Sequence, residues 1–197
     1  MGQRLVITVK KNEKKLAKIY YHWSGYTTSA LYEARDLLNH LKDDYKSERD
    51  LQLELIRFVE GRGGCIDGGE GSKEFNKIQE IFPDEVFNSS GSRNEGLIAI
   101  TEDGMNNIQM WSEGDLIIDL DDNLIKNEVL DYYRNIEQFN EYYEKDYTLD
   151  EIPELENDIE YIHFDNLINV IEELNEEHWV YRRRTFKSED EIYVLIG

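Results

Sequence analysis

The chain has 197 residues, enough for one domain or two small ones with a sizeable core. Hydrophobic residues make up 40% and aromatics 12%, a balance that excludes a disordered acidic chain, which would be poor in aromatics. The formal net charge of −21 argues against direct binding to nucleic acid, and the single cysteine excludes an intrachain disulfide or a multi-cysteine zinc site.

Leu5–Val9 is a short β-branched run, and Leu16–Trp23 is a second, rich in Tyr and Ile. The polar stretch 11–15 between them has hairpin length, so the two are expected to pair antiparallel. Gly25 ends the pair, and the Thr27-Thr28-Ser29 cluster offers a helix cap. Leu31, Ala34, Leu38 and Leu41 recur at intervals of three and four, which predicts a helix over 29–45. Ser47 with Asp50 resembles a capping box and restarts a helix through Val59, with Gly61 as its stop.

The stretch GRGGCIDGGEGS, 61–72, reads as a flexible connector, after which Ser72 caps a helix that turns Phe75, Ile78, Ile81 and Phe82 inward. Residues 1–197 are expected as a single α+β domain, and the loop 88–96 is the best place for a sub-division, into a ββα-type part at 1–87 and an acidic α+β part at 96–197. Leu97–Thr101, Ile108–Trp111 and Leu116–Leu120 are expected as strands, with Asp103-Gly104 and Glu113-Gly114 at their connections. Helical spacing returns from Glu128 to Asp146, Pro153 breaks an irregular stretch, and Asp165 is placed to cap a helix through Glu176. Trp179–Thr185 and Ile192–Ile196 are read as final strands. The pattern is α+β: a mixed or antiparallel sheet with several packed helices.

Catalytic motifs are weak. GEGSK at 69–73 has Ser72 before Lys73, the wrong order for a P-loop, although a helix N-terminus there offers an anion site. Cys65 could serve as a nucleophile with His22 or His40 as base, but no catalytic signature surrounds it. His22-Trp23, with Tyr20, Tyr21 and Tyr26, reads as core packing before it reads as a pocket. Asp119 and Asp121 are spaced as a calcium loop begins, yet the later glycine and glutamate positions of an EF-hand hold Leu124 and Leu130. His163 and Asp165 have His-x-Asp spacing, which a helix cap at Asp165 explains equally. Arg182-Arg183-Arg184 is a basic cluster best matched to the chain's own carboxylates. No catalytic residue and no cofactor is therefore assigned. A metal-dependent hydrolase or nuclease using Asp119 and Asp121 stands as the alternative reading.

Charge distribution carries the stronger signal. Residues 1–60 hold 11 Lys/Arg and 9 Asp/Glu, whereas residues 113–177 hold 22 Asp/Glu against Lys126, Arg134 and Lys145. Acidity meant only for solubility, the third reading, would be spread more evenly. On a helix, carboxylates at i and i+4 stand about 6 Å apart, an interval at which they can engage the Lys and Arg that hold phosphates. Glu137, Glu141 and Glu144 form one such row, and Glu172, Glu173, Glu176 and Glu177 a second. Asp146 adds charge and Tyr142 an aromatic anchor.

In charge, size and composition the chain resembles small acidic bacteriophage proteins that inhibit host defence, of the anti-restriction and anti-CRISPR types, several of them DNA mimics. The stretch IYYHWSGYTTSALYEARDLL, 19–38, is similar to uncharacterised phage and prophage proteins. The resemblance implies a host defence protein with a basic nucleic-acid-binding groove as partner, occluded without catalysis. It implies no direct nucleic-acid contact, and the near-neutral first 60 residues depart from a uniformly acidic mimic. No apolar run reaches the roughly 20 residues of a membrane span, and the expected setting is the host cytoplasm.

Overall fold

In the computed structural model, which describes residues 4–25, 27–41, 47–129, 140, 146, 148 and 161–172, β1 (Leu5–Lys11) and β2 (Lys14–Tyr21) form the expected antiparallel hairpin. Its turn is tighter than the polar stretch suggested. Only Asn12 and Glu13 lie between the strands, at φ 51° and 61°, the left-handed pair that matches the twist of a two-residue hairpin. Helix α1 (Thr27–His40) buries Ala30, Leu31, Ala34 and Leu37, and α2 (Glu48–Gly61) buries Leu51, Leu55, Ile56, Phe58 and Val59. Ser47 caps α2 by accepting from the Asp50 N–H at 3.1 Å.

The glycine-rich stretch is not a plain connector. It contains a two-residue strand, β3 (Cys65–Ile66), parallel to β4 (Leu97–Ala99). Helix α3 (Lys73–Ile81) follows, capped as expected by Ser72 Oγ, which accepts from the Phe75 N–H at 3.1 Å. The expected strand at Ile108–Trp111 is a helix end instead: α4 spans Glu102–Gln109. Thr101 caps it through the Gly104 N–H at 3.1 Å, with Glu102 and Asp103 favourably placed at the positive helix N-terminus. Asp103-Gly104 is thus a first helical turn rather than a hairpin. Strand β5 (Gly114–Asp119) matches expectation, but β6 (Leu124–Val129) occupies the start of the helix expected from Glu128.

Strand β7 (Tyr161–His163) then leads into a 3-10 turn at Phe164–Asn166 and a helical run at 167–172. Asp165 lies inside that turn, which has no side-chain cap, so its expected capping role is not realised. The expected strands at Trp179–Thr185 and Ile192–Ile196, and Arg182-Arg183-Arg184, lie outside the described residues.

The seven strands form one mixed sheet in the order β3-β4-β2-β1-β5-β6-β7, which bears out the α+β reading. Strands from both sides of the 88–96 loop share it. Register partners point to one side, so Leu5, Ile7 and Val9 of β1 share a face with Tyr21, Ile19 and Ala17 of β2. That face packs against α1 and α2 in the main core. The opposite face presents Val6, Tyr20, Leu97 and Ala99 to Ile108 and Met105 of α4. Both faces of β1 are therefore covered, and Leu5–Val9 is buried throughout. Beneath the end of α4, Lys18 is buried and donates to Gln109, whose amide donates to Asp115 at 2.8 Å. Glu74 is also buried: its carboxylate accepts the Ile100 N–H at 2.8 Å, the Thr101 N–H at 3.0 Å and the Thr101 hydroxyl. It thereby ties α3 to the entry of α4.

Candidate functional site

The two ends of the central strands carry different chemistry. At the C-terminal end of β1, Lys10 and Asp119 are register partners on β1 and β5, with Nζ and Oδ2 2.9 Å apart. The other Asp119 oxygen accepts the Asp121 N–H at 3.2 Å and the Asp122 N–H at 3.5 Å, while the Asp121 carboxylate accepts the Asn12 N–H. Burial alone would raise the Asp119 carboxyl, but Lys10 and the two backbone N–H groups outweigh it and hold it below its ordinary value. The two aspartates of the calcium-like spacing thus stitch one turn to another. Among the described residues no group of three or more His, Cys, Asp or Glu is placed to hold a metal ion.

Of the residues expected to meet a partner, Asp146 and Glu172 are described, and both are exposed. Glu137, Glu141, Tyr142, Glu144, Glu173 and Glu176 lie outside the described residues. Within the near-neutral first part, Lys14 pairs with Glu48, Arg35 with Asp36 and Arg57 with Glu54, and just beyond it Arg62 pairs with Glu33. Arg4 and Lys10 neutralise Glu113 and Asp119 of the acidic part. Asp122, Asp165 and Glu172 are exposed and make no ion pair among the described residues.

At the other end of β1, about 20 Å along the strand at roughly 3.3 Å per residue, lies a cavity of about 450 Å³ on the α4 side of the sheet. Cys65, Leu97 and Tyr20 stand side by side on three neighbouring strands and form its floor. Asn107, Ile108 and Trp111 form one wall, and the turn at 67–69 another. Gly68 has φ +77° in that turn, which the Gly69 N–H closes onto the Ile66 carbonyl at 3.0 Å; a side chain there would be strained. The Asp67 carboxylate accepts from Asn107 Nδ2 at 2.8 Å and so bridges the turn to α4.

Ser90, Gly91 and Arg93 of the long loop close a third side. This loop is fastened by its backbone: Ser92 N–H donates to the Gly63 carbonyl at 2.9 Å and Cys65 N–H to the Gly96 carbonyl at 3.1 Å. Gly91 lies so close over Gly64 that an added Cβ would stand 2.5 Å from its carbonyl carbon.

The cavity lining carries both signs, Arg4 and Arg93 against Asp67. Arg4 and Arg93 line it together with His22, whose Nδ1 is 2.7 Å from the Tyr20 hydroxyl. Burial raises the Tyr20 phenol, and the positive charges of Arg4 and Arg93 pull it back. Arg4 also binds Glu113 through its backbone N–H at 3.0 Å and its guanidinium. Arg93 makes no ion pair among the described residues. Cys65 does share the cavity with His22, whereas His40 lies beside Glu54 and Phe58. Burial raises the Cys65 thiol, against a hydrogen bond from the Gly91 N–H. Tyr21 belongs to the main core, Trp23 is half exposed, and Tyr26 lies outside the described residues.

Comparison with protein-family models, with curated proteins and with solved structures gave no match. Among the described residues, no helix is long and apolar enough to cross a membrane.

Proposed function

We propose that the chain is a non-catalytic acidic binding protein that occupies the basic nucleic-acid-binding groove of a partner. One observation carries this reading: residues 113–177 hold 22 acids against three bases. Most exposed helices mix their signs to gain i,i+4 pairs, and a segment so poor in bases forgoes them. Of the first 60 residues, Arg4 and Lys10 pair with Glu113 and Asp119 of the acidic third, while Lys14, Arg35 and Arg57 are taken up by Glu48, Asp36 and Glu54. Those three are not spare cations for the acidic third. The partner-facing groups in this proposal are Glu137, Glu141, Glu144, Asp146, Glu172, Glu173 and Glu176, with Tyr142 as anchor.

The resemblance to acidic bacteriophage inhibitors directs the proposal to a bacterial defence protein that handles nucleic acid. Steric and electrostatic occlusion is the mechanism, with tight binding at low salt that weakens as salt screens the charges. The test is capture from bacterial lysate at two salt concentrations. Wild-type protein is compared with a variant carrying Gln at positions 137, 141, 144, 172, 173 and 176. A nucleic-acid-handling protein retained by wild type at low salt only, and lost by the variant, supports the proposal. Equal retention by both sinks it, and no retained protein at either salt supports acidity for solubility alone.

A further inference from the structure

We propose that the cavity between the Cys65-Leu97-Tyr20 floor and α4 binds a nucleotide-class ligand, its phosphate at Arg93 and Arg4 and its base against Trp111. Its volume of about 450 Å³ falls within the range of roughly 300–1,000 Å³ typical of small-ligand sites. Arg4 and Arg93 line it against Asp67, and Arg4 is already paired with Glu113, so the cavity is close to neutral in a protein of net charge −21. That local relief of negative charge, with Arg93 left as the uncommitted cation, favours a bound anion that the rest of the surface repels. Arg93 makes no ion pair among the described residues, so no acid there competes with a ligand for its guanidinium, while Arg4 is oriented by Glu113.

The remaining lining suits the other half of such a ligand. Leu97 and Ile108 supply apolar surface, and the half-exposed Trp111 ring offers a stacking face. Asp67 and Asn107, already held together at 2.8 Å, place a fixed acceptor and a fixed amide beside it, the pair needed to read a base edge or sugar hydroxyls. The walls are pre-formed, since the turn at 67–69 and the loop at 88–96 are fastened to β3 and β4 by backbone hydrogen bonds. The proposal uses none of the residues on which the partner-binding reading rests.

The full chain, titrated calorimetrically with adenosine, guanosine, cytidine and uridine 5′-monophosphates, with adenosine, and with inorganic phosphate, tests this. At least one monophosphate is expected to bind at one site, more tightly than adenosine or phosphate. Arg93→Ala, at an exposed loop position, is expected to weaken it about tenfold, the loss of one charge-assisted contact. The same monophosphate is expected to slow alkylation of Cys65, the sole thiol and part of the cavity floor. Absence of binding by all four monophosphates at millimolar concentration overturns the proposal. Binding that is insensitive to Arg93→Ala and leaves Cys65 alkylation unchanged also overturns it, because the ligand then sits elsewhere.

Discussion

Lys10 and Asp119 are register partners on parallel strands with their charges 2.9 Å apart, so the acid that most resembles a metal ligand already has a cation. Lys10→Met is expected to return the Asp119 carboxyl to its ordinary range in an NMR titration. Both side chains are partly exposed, so the stability cost at neutral pH is about 0.5–1 kcal/mol. Millimolar magnesium or calcium is expected to leave the Tm of the wild-type chain unchanged. A metal-induced rise that Asp119→Asn abolishes would instead favour the metal-dependent hydrolase.

Glu74 and Gly104 give a sharper test of packing. A Cβ at position 104 would overlap the buried Glu74 carboxylate and stand 2.9 Å from Ala99 Cβ. Gly104→Ala, which on helix propensity alone should help α4, is expected to destabilise by about 1–3 kcal/mol through overpacking. Chemical denaturation would measure this, and a stabilised variant would show that the Glu74 clamp yields freely.

The hairpin turn holds the opposite lesson. Glu13 adopts φ 61°, a conformation costly for a residue with a side chain. Glu13→Gly converts the turn to Asn-Gly, the favoured pair for such a hairpin, and is expected to stabilise by about 1 kcal/mol. An unchanged or lower denaturation midpoint would contradict the turn geometry.

Stability should also fall between mildly acidic and alkaline pH. Burial raises the carboxyl of Glu33, against the attraction of Arg62, and that of Glu60, against the Asn88 N–H. A carboxyl raised in the fold contributes stability that is complete below its unfolded value and lost as pH climbs through the folded one. The Arg4 hydrogen bond lowers Glu113, and Asn12 and Lys14 lower Glu48. Their contribution is present above the unfolded value and is lost only as pH drops through the folded one. Together with repulsion at net charge −21, these signs predict a higher Tm near about pH 5.5 than near pH 8. Glu33→Gln is expected to flatten that slope, and a Tm that rises toward pH 8 would contradict the assignment.

Legibility in the sequence followed how local the signal was. The hairpin, α1, α2 and α3 announce themselves through periodicity and through Ser47 and Ser72, which cap as expected. Helix α4 is not legible in the pattern because Ile108–Trp111 is a short apolar run, which periodicity cannot assign. The usable signal was Thr101 followed by Glu102 and Asp103, a cap with acids in the first turn. Strand β6 was hidden by reading a helix from Glu128, although Ile125, Asn127 and Val129 alternate with Leu124, Lys126 and Glu128. Two-residue β3 has no period to detect, and it exists because β4 offers it an edge. The cavity joins residues from position 4 to position 111, so no local motif contains it. His22 and Tyr20 share one aromatic stretch that suggests a lining, whereas Arg4, Arg93 and Asn107 are scattered along the chain with no common spacing.

Competition with duplex DNA tests the central claim most directly. The captured partner is held on the immobilised chain at low salt, and duplex DNA is titrated against it. Occlusion of a basic groove predicts that DNA releases the partner, and that the chain in turn blocks DNA binding by the partner at matching concentrations. A partner that holds the chain and the DNA together, each at undiminished affinity, would contradict it.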